Sequence, residues 1–381
     1  RRRREPEMKS STTQLISYIA PGAPATRRPA TGAEPYVRPE VGFTPRWFHD
    51  SLGVDFSERW HADPAHRRDA ISAMAHELRR RFPRHGIGGV ADADHPVDLL
   101  TGAFGASAVP AIYGVPIRYA ADLWPACEPE HLTAEQTERL EPPDLDVNPF
   151  FRDLMAQAEW IAGRVGRIEG YVSWQGVLNT AYRLRGEAVF TDMAMAPKRA
   201  EHLFRCVATT MVDAMRRLYA VQRDSGVDVW HVTVSNCLVN LVSPRQYRDL
   251  LLPFDRWIAW GRPIGIHNCA WTADPYVEHY ATIPGVAYID MGMDSDIAAA
   301  RDAFPDARRA VMYPPTDVAS KSREETGRDV ARIADHYGPC DIVFADIEAG
   351  VEDARVTELF DLCEHVSHEH DARRSQGRRR R

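Results

Sequence analysis

Short apolar runs alternate with longer amphipathic stretches along most of the chain. The runs are six to eight residues long and rich in β-branched and aromatic residues, which is typical of strands buried on both faces. They are Tyr36–Phe43, Ser107–Tyr113, Arg167–Trp174, Val227–Val234, Arg262–His267, Gly285–Asp290, Arg308–Tyr313 and Asp341–Asp346. The pattern therefore predicts eight strands.

The stretches between these runs carry apolar residues at helical spacing. Ser243 followed by Pro244 is typical of an N-cap and a first helical residue, and Ser322 with Glu325 resembles a capping box. Helices are predicted within His61–Phe82, Ala196–Gly226, Ser243–Trp260, Ser322–Gly338 and Val351–Val366. Eight strands alternating with helices predict a (β/α)8 TIM barrel, with His61–Phe82 as an N-terminal helical elaboration.

A doubly wound open sheet is the structural alternative to the barrel. That fold would need a glycine-rich phosphate turn after the first strand, where the chain reads GFTPRW. With 381 residues, 44% of them hydrophobic, the chain can bury a large core. No repeat or linker divides it, so residues 36–368 are predicted to form one domain. Residues 1–35 and 369–381 are predicted to be disordered tails, basic at both ends of the chain.

Charge and cysteine content narrow the function classes. The formal net charge of −7 disfavours nucleic acid as a partner. No window reaches the roughly 18 consecutive apolar residues of a membrane span, so a soluble protein is expected. Six scattered cysteines predict a reducing, cytoplasmic compartment. The expected partner is a small-molecule substrate, and a homodimer is compatible with the sequence.

The carboxyl ends of the predicted strands carry an unusual number of reactive side chains. The active site of a (β/α)8 barrel lies at these ends. His267 and Cys269 are two residues apart, so in an extended segment both would face one spot, which is how half of a zinc site begins. Further polar or aromatic residues at or just after strand ends are Ser173, Trp174, Asn236, Cys237, Trp271, Asp290, Tyr313, Asp346 and Glu348.

Several longer segments resemble the uroporphyrinogen decarboxylase superfamily, and the resemblance covers nearly all of residues 36–367. One segment is SWQGVLNTAYRLRGEAVFTDMAMAPKRAEHLF, Ser173–Phe204. Another combines SPxxYxxxxxP in Ser243–Pro253 with the later GIHNCAW of Gly265–Trp271. A third is TPRWFHDSLGVDFSERWHADPAHR, Thr44–Arg67. The resemblance implies a (β/α)8 barrel that is either a decarboxylase or a corrinoid-linked methyltransferase.

The sequence departs from the decarboxylase branch of that superfamily. Those enzymes use an arginine-rich RQAGRY loop and an acid in an FSD motif, and neither is present here. Gly105 falls where the acid is expected, whereas Tyr182 matches the tyrosine of the motif. The strand ends also supply no arginine for a tetra-acid porphyrinogen. Porphyrinogen decarboxylation is therefore disfavoured.

The zinc-dependent methyltransferase branch implies metal ligands at His-x-Cys and at a later cysteine. His267 and Cys269 match the first two. Cys340 precedes the last predicted strand, so it would lie at the opposite mouth of the barrel. At ~3.3 Å per strand residue, that is on the order of 15–20 Å from His267 and Cys269. Asp346 is therefore predicted as the third ligand of Zn2+, with Glu348, Cys237 and Cys340 as alternatives.

The resemblance and the strand-end positions together assign the remaining roles. Tyr182, Asn236 and Asp290 are predicted to be catalytic, with Asp290 alternatively orienting the histidine. The predicted substrate-binding residues are Ser173, Trp174, Cys237, Trp271, Tyr313 and Glu348. A corrinoid would arrive on a partner protein, because the chain has no Asp-x-His-x-x-Gly segment. The alternatives are a metal-free decarboxylase of a tetrapyrrole or other acid and a non-catalytic tetrapyrrole- or corrinoid-binding barrel.

Overall fold

A computed structural model gives the fold and describes residues 17–18, 30, 32, 34–88, 98–129 and 131–379. The strands are β1 (Ser17–Tyr18), β2 (Val37–Phe43), β3 (Ile117–Ala120), β4 (Leu123–Cys127), β5 (Val232–Ser235), β6 (Ile264–His267), β7 (Val286–Gly292), β8 (Arg308–Tyr313) and β9 (Cys340–Ile347). The helices are α1 (Pro45–Leu52), α2 (Glu58–Ala62), α3 (Pro64–Arg81), α4 (Ala108–Ile112), α5 (Ala134–Glu138), α6 (Pro149–Val165), α7 (Val177–Arg185), α8 (Ala188–Met195), α9 (Pro197–Asp224), α10 (Pro244–Gln246), α11 (Leu252–Ile258), α12 (Val277–Tyr280), α13 (Ile297–Ala303), α14 (Pro315–Ser320), α15 (Arg323–Tyr337) and α16 (Asp353–Arg379). A π-helical turn at Tyr247–Leu251 joins α10 to α11.

The strands build a parallel sheet in the order β1-β2-β9-β8-β7-β6-β5, and β3 and β4 pair separately as an antiparallel hairpin. Six of the predicted strands are confirmed as β2 and β5–β9, and the predicted long helices as α3, α9, α10–α11, α15 and α16. Ser243 is the N-cap expected of it and also forms a capping box with Gln246, and Ser322 forms the expected capping box with Glu325. α16 continues to Arg379, past the predicted domain end at 368. Most of the predicted tail 1–35 lies outside the described residues.

The predicted strand Ser107–Tyr113 is wrong, because this segment forms helix α4. A short apolar run does not distinguish a strand from a buried helix, and Pro110 has no N–H to donate to a strand ladder. All residues of α4 are buried. Burial from every side, rather than a position in the sheet, therefore explains the apolar run.

The predicted strand Arg167–Trp174 is also wrong in its hydrogen bonding, although it runs beside β5. It makes no backbone ladder. Instead the Tyr171 hydroxyl donates to Thr233 O (2.8 Å) and accepts from Thr233 N (3.1 Å). In the described part of the chain β1 and β5 are the two edges of the sheet. The structure therefore has the mixed α/β arrangement expected of a TIM-like fold, and closure into a barrel stays a prediction.

Both faces of the sheet are buried, as parallel sheets require. Side chains alternate along each strand: Tyr288, Ala310, Met312, Val343 and Ala345 form a small cluster on one face. The alternate residues, Ile289, Val311, Ile342 and Phe344, join the large core under the helices. His267 and Asp290 share the face of the small cluster, since Asp290 is two residues from Tyr288 and pairs with His267 in register.

The two ends of that inner face differ in chemistry. At the amino ends of the strands, Asp341 forms buried ion pairs with Arg38 (2.9 Å) and Arg308 (2.7 Å), and Arg38 also pairs with Glu40. Cys340 is also at this end of β9, but on the opposite face of the sheet, where it is buried in the large core. The carboxyl ends instead carry His267 and the residues that follow β5 and β6. No helix among the described residues is long and apolar enough to cross a membrane.

Candidate functional site

Three sulfur and nitrogen donors come together where β5 and β6 end. The two strands are parallel neighbours paired through Ser235 and His267, so the residues that follow leave the sheet side by side. Cys237 Sγ is 2.8 Å from Cys269 Sγ, which is 2.9 Å from His267 Nε2. One ligand atom from each residue lies within 4.8 Å of the others. We call Cys237, His267 and Cys269 the thiol–imidazole cluster.

The backbone at Cys269 departs from the extended conformation that its spacing from His267 predicts. Its φ of 56° is in the left-handed region, which costs a non-glycine residue roughly 1–2 kcal/mol. The chain thus turns immediately after β6 instead of continuing it. The turn leaves the Cys269 sulfur against the imidazole of His267, so the two side chains meet by a different route from the one predicted.

Asp290 fixes the ring of His267 from behind. Both carboxylate oxygens lie within 2.8 Å of Nδ1, so Nδ1 donates and Nε2 carries the lone pair, directed at Cys269. Asp290 is fully buried and also accepts from Asn268 N (2.8 Å) and the Tyr288 hydroxyl (3.0 Å). The structure thus places Asp290 as a partner of the histidine, one of its two predicted roles, and not among the donors of the cluster.

Asn236 points into a buried network beside the cluster. Its side chain donates to Asp255 Oδ2 (2.8 Å), which also accepts from the Tyr247 hydroxyl (2.8 Å). Burial raises the pKa of Asp255 to about 6. The backbone N–H of Asn236 donates to His267 O (2.7 Å). In this structure Asn236 therefore supports the strand ends, and its predicted catalytic part stays a prediction.

A row of buried polar side chains on and before α7 approaches the cluster from the other side. Gln175 donates to Ser173 Oγ (2.8 Å), and Asn179 Oδ1 accepts from the backbone N–H of Leu238, next to Cys237. One turn further along α7, burial lowers the pKa of Arg183, and the nearby thiols of Cys127 and Cys237 act against that shift. The sequence predicts a role for Ser173, whereas Asn179 and Arg183 are additional.

Two of the predicted substrate-binding residues lie in packed regions. Trp174 is fully buried in the large core. Tyr313 is on the helix-facing side of β8, where its hydroxyl donates to Asp329 Oδ2 (2.8 Å) on α15. Alternation along β8 turns Tyr313 away from the inner face, so the structure does not bring it to the cluster. Its position at a strand end gave no information about which face it occupies.

Two further predicted residues, Tyr182 and Trp271, do not belong to the cluster. Tyr182 is half-buried on α7, with its ring 5.9 Å from that of Phe190. Trp271 follows Cys269 by two residues and is 53% exposed. A large exposed aromatic ring next to the cluster remains available for a bound molecule or partner.

Asp346, the predicted third ligand, lies elsewhere on the same edge of the sheet. In the described chain it does not belong to the cluster, because β7 and β8 separate β9 from β6. Asp346 and Glu348 line a cavity of about 570 Å³ with Thr44, Pro45, Arg46, Asp122, Leu123, Trp124 and Pro315. Partial burial and the Glu348 carboxylate raise the pKa of Asp346. Its position indicates a cavity wall rather than a ligand of the cluster.

A second group of potential metal ligands consists of His85, after α3, and Asp361 and Glu364 on α16. Glu364 and Asp361 approach different nitrogens of the same ring, at 3.1 Å and 3.3 Å. Arg84 also contacts Asp361 (3.1 Å). These contacts, one on each side of the imidazole, tie the loop after α3 to α16.

The sequence-based prediction missed the buried partners that position the cluster. Asp255 lies among apolar residues in PFDRWI of α11, and an acid on such a face is a signal that could have been used. Tyr288 and Asn268, which hold Asp290, give no comparable signal. Their role depends on which strands are neighbours.

The donor set of the thiol–imidazole cluster suits zinc. Two cysteine sulfurs and one histidine nitrogen are a common three-residue set, and a carboxylate behind the histidine is its usual companion. With Zn–S bonds of about 2.3 Å, a tetrahedral ion would hold the two sulfurs about 3.7 Å apart. Binding would therefore separate the Sγ atoms by about 1 Å from their present distance.

Comparison with known proteins gives a fold but no family. No protein-family model and no curated protein matches the sequence. Among solved structures, a methyltransferase from Methanosarcina mazei matches 87% of this chain and 94% of its own, with a TM-score of 0.59 and 12% sequence identity. At this identity the similarity shows that the two proteins share a fold.

Proposed function

We propose that this protein is a zinc-dependent methyltransferase or demethylase that moves a methyl group between a corrinoid protein and a thiol or similar acceptor. The observation that carries the proposal is the thiol–imidazole cluster, with its donor atoms within 4.8 Å at the carboxyl ends of parallel strands. Ligand sites of α/β folds characteristically occupy this edge. The fold shared with a methyltransferase supports the same reading.

Three protein ligands would leave one coordination position for substrate, which is the arrangement of catalytic rather than structural zinc. When bound, zinc would lower the pKa of a thiol acceptor and so supply a thiolate nucleophile at neutral pH. Cys237 and Cys269 would donate sulfur and His267 would donate Nε2. Asp290 would keep the imidazole in the required tautomer, since it accepts from Nδ1.

The surrounding residues suit orientation of an acceptor rather than proton transfer. Ser173, Gln175 and Asn179 form a connected polar row, and hydrogen bonds between its members fix their side chains. Arg183 brings a positive charge close to Cys237. The cavity lined by Asp346 and Glu348 lies along the same edge of the sheet. We assign these two acids to the cavity and Cys237 to the third ligand position.

We further infer that the chain belongs to the uroporphyrinogen decarboxylase superfamily and closes into a (β/α)8 barrel. The segment Ile168–Gln175 supports closure, because Tyr171 bonds both backbone groups of Thr233 at the open edge of β5. Gly176 brings the following turn so close that an added Cβ would lie 2.2 Å from Ser235 O. This segment would occupy the strand position next to β5.

Metal content and methyl transfer, measured on the same preparation, test the proposal. Protein loaded with zinc under reducing conditions should retain about one zinc per chain. It should also transfer methyl from methylcobalamin to a small thiol, which is measured as the loss of the methyl–cobalt absorbance. Cys237→Ala and His267→Ala should lose the zinc, whereas Asp346→Asn should keep it.

Other outcomes would point to other functions. Zinc retained by Cys237→Ala but lost from Asp346→Asn would contradict the ligand assignment. Absence of zinc from the native protein, together with release of carbon dioxide from an acidic tetrapyrrole, would replace the proposal with decarboxylation. Tight corrinoid or tetrapyrrole binding without turnover would indicate a carrier.

A further inference from the structure

The two sulfurs of the thiol–imidazole cluster are closer to a covalent bond than to the spacing that a metal requires. Cys237 Sγ and Cys269 Sγ are 2.8 Å apart, against about 2.05 Å in a disulfide and about 3.7 Å across a tetrahedral zinc ion. Closing to a bond needs less movement than opening for the metal.

The sheet itself sets up this contact. Ser235 pairs with His267 at the ends of β5 and β6, and Cys237 and Cys269 each follow two residues later. Neighbouring strands run about 4.8 Å apart, which is within the range of Cα separations that disulfides span. The left-handed turn at Cys269 keeps this residue beside its counterpart instead of extending away from it.

We propose that Cys237 and Cys269 form a reversible oxidation site, in which a hydroperoxide joins the two thiols as a disulfide. Two thiols and one hydroperoxide give one disulfide, one water and one alcohol, or a second water when the oxidant is hydrogen peroxide. The two sulfurs are oxidised, the O–O bond is reduced, and both thiol protons end on oxygen. A dithiol reverses the reaction by exchange.

The disulfide and the metal exclude each other. A disulfide sulfur has no thiolate electron pair to donate to zinc, so oxidation would remove two of the three ligands and leave His267 alone. Oxidation thereby switches off metal binding. This regulatory consequence rests on the proposed function, whereas formation of the disulfide does not require the metal.

The other cysteines are less suited than Cys237 and Cys269 to form a disulfide. Cys340 and Cys363 are buried in the core, and burial raises the pKa of each thiol well above its ordinary value. Burial raises the pKa of Cys206 to about 11, and its sulfur donates to Leu140 O. Cys127 is partly buried near Arg183, and it is the rival partner that an experiment must distinguish.

Peptide mapping of the full-length protein tests the proposal. Metal-free, reduced protein treated with stoichiometric hydrogen peroxide should yield a peptide pair joined through Cys237 and Cys269, and dithiothreitol should reverse it. Zinc-loaded protein should release one zinc for each disulfide formed, read with a chromogenic chelator. Cys237→Ser and Cys269→Ser should abolish the product. Cys206→Ser, which can keep the hydrogen bond to Leu140, should not.

The results that overturn this inference differ from those that overturn the proposed function. Joining of Cys237 to Cys127, or oxidation of other thiols before this pair in folded metal-free protein, would overturn the oxidation site whatever the zinc content. A protein that forms the disulfide but binds no zinc when reduced would retain the oxidation site and lose the methyltransferase proposal.

Discussion

The imidazole of His267 can coordinate a ligand only through Nε2, because Nδ1 donates to the buried carboxylate of Asp290. That carboxylate is itself held by Asn268 N and the Tyr288 hydroxyl. A single residue thus sets the tautomer, the ring angle and the electron density of the donor nitrogen. Asp290 and Asp255 are both fully buried acids near the cluster, and the two can be tested separately.

Asp290→Asn should weaken zinc binding without unfolding the protein. The amide can still accept from Nδ1, but it lacks the negative charge that strengthens the histidine as a donor. Loss of such a partner typically lowers metal affinity about 10–100-fold. Competition with a chelator of known affinity measures the change. The matched control is Asp302→Asn, an exposed acid beside Arg301, and equal affinities in the two variants would refute the assigned role.

Asp255→Asn should make stability less dependent on pH. Burial raises the pKa of Asp255 from 3.8 to about 6, so the folded protein holds this proton more tightly than the unfolded chain does. This tighter proton binding contributes roughly 3 kcal/mol to the free energy of unfolding. The contribution is complete below the pKa of the unfolded chain and is lost as the pH rises through about 6. An asparagine can accept the same hydrogen bonds from Asn236 and Tyr247, and it has no charged form that burial would destabilise at high pH.

Urea unfolding at several pH values between 4 and 7.5 measures this effect as the difference between variant and native protein. The variant should gain relative stability as the pH rises. A constant difference across the range would mean that Asp255 is not the titrating group.

At the scale of elements, the pairing of β5 with β6 decides which residues meet. The strand-end rule collected His267, Cys269 and Cys237 from the sequence, but it could not rank Cys237 above Asp346. All lie at one edge, and only the strand order shows that β7 and β8 stand between β9 and β6. Asp346 was therefore a reasonable candidate that the structure does not bring to the cluster.

Local pattern also explains which elements could be predicted. The run Arg308–Tyr313 forms β8 as predicted and is buried along its whole length, as expected of a strand covered on both faces. Ser107–Tyr113 contains Pro110 and forms a helix, so length and composition alone were ambiguous. Arg167–Trp174 looks like a strand in sequence, yet its contact with β5 is made by the side chain of Tyr171. The periodicity of the sequence cannot show that a tyrosine side chain, and not a backbone ladder, makes the contact with β5.

Gly176→Ala should disturb the contact between α7 and the end of β5. The new methyl group would lie 2.2 Å from Ser235 O and 2.8 Å from Asn236 Oδ1, so the backbone must move. Overpacking of this kind costs roughly 1–3 kcal/mol of stability. It should also weaken zinc binding, because Cys237 comes directly after Asn236 in the chain. Thermal unfolding and chelator competition measure the two effects.

Gly163→Ala is the matched control for this substitution. Gly163 lies inside α6, and apart from the helix's own backbone nothing lies within 4 Å of the added methyl group. Replacing a helical glycine by alanine stabilises by up to about 1 kcal/mol. The two variants should thus shift the unfolding temperature in opposite directions, and a stabilised Gly176→Ala protein would contradict the close approach of Gly176 to Ser235.

At the scale of the whole molecule, the inner face of the sheet separates two kinds of chemistry. Buried ion pairs among Arg38, Asp341 and Arg308 occupy the amino ends of the strands, and the thiol–imidazole cluster occupies the carboxyl ends. The small apolar cluster around Tyr288 lies on the same face. This division agrees with the general placement of stabilising and functional residues in α/β folds.

Zinc K-edge X-ray absorption of the reduced, zinc-loaded protein tests whether Cys237, His267 and Cys269 bind the metal, because it counts the ligand atoms. Two sulfur neighbours at about 2.3 Å and one imidazole nitrogen at about 2.0 Å are expected in the native protein, whereas Cys237→Ala should not retain the zinc that gives this spectrum. A single sulfur neighbour in the native protein, or a spectrum unchanged by that substitution, would contradict it.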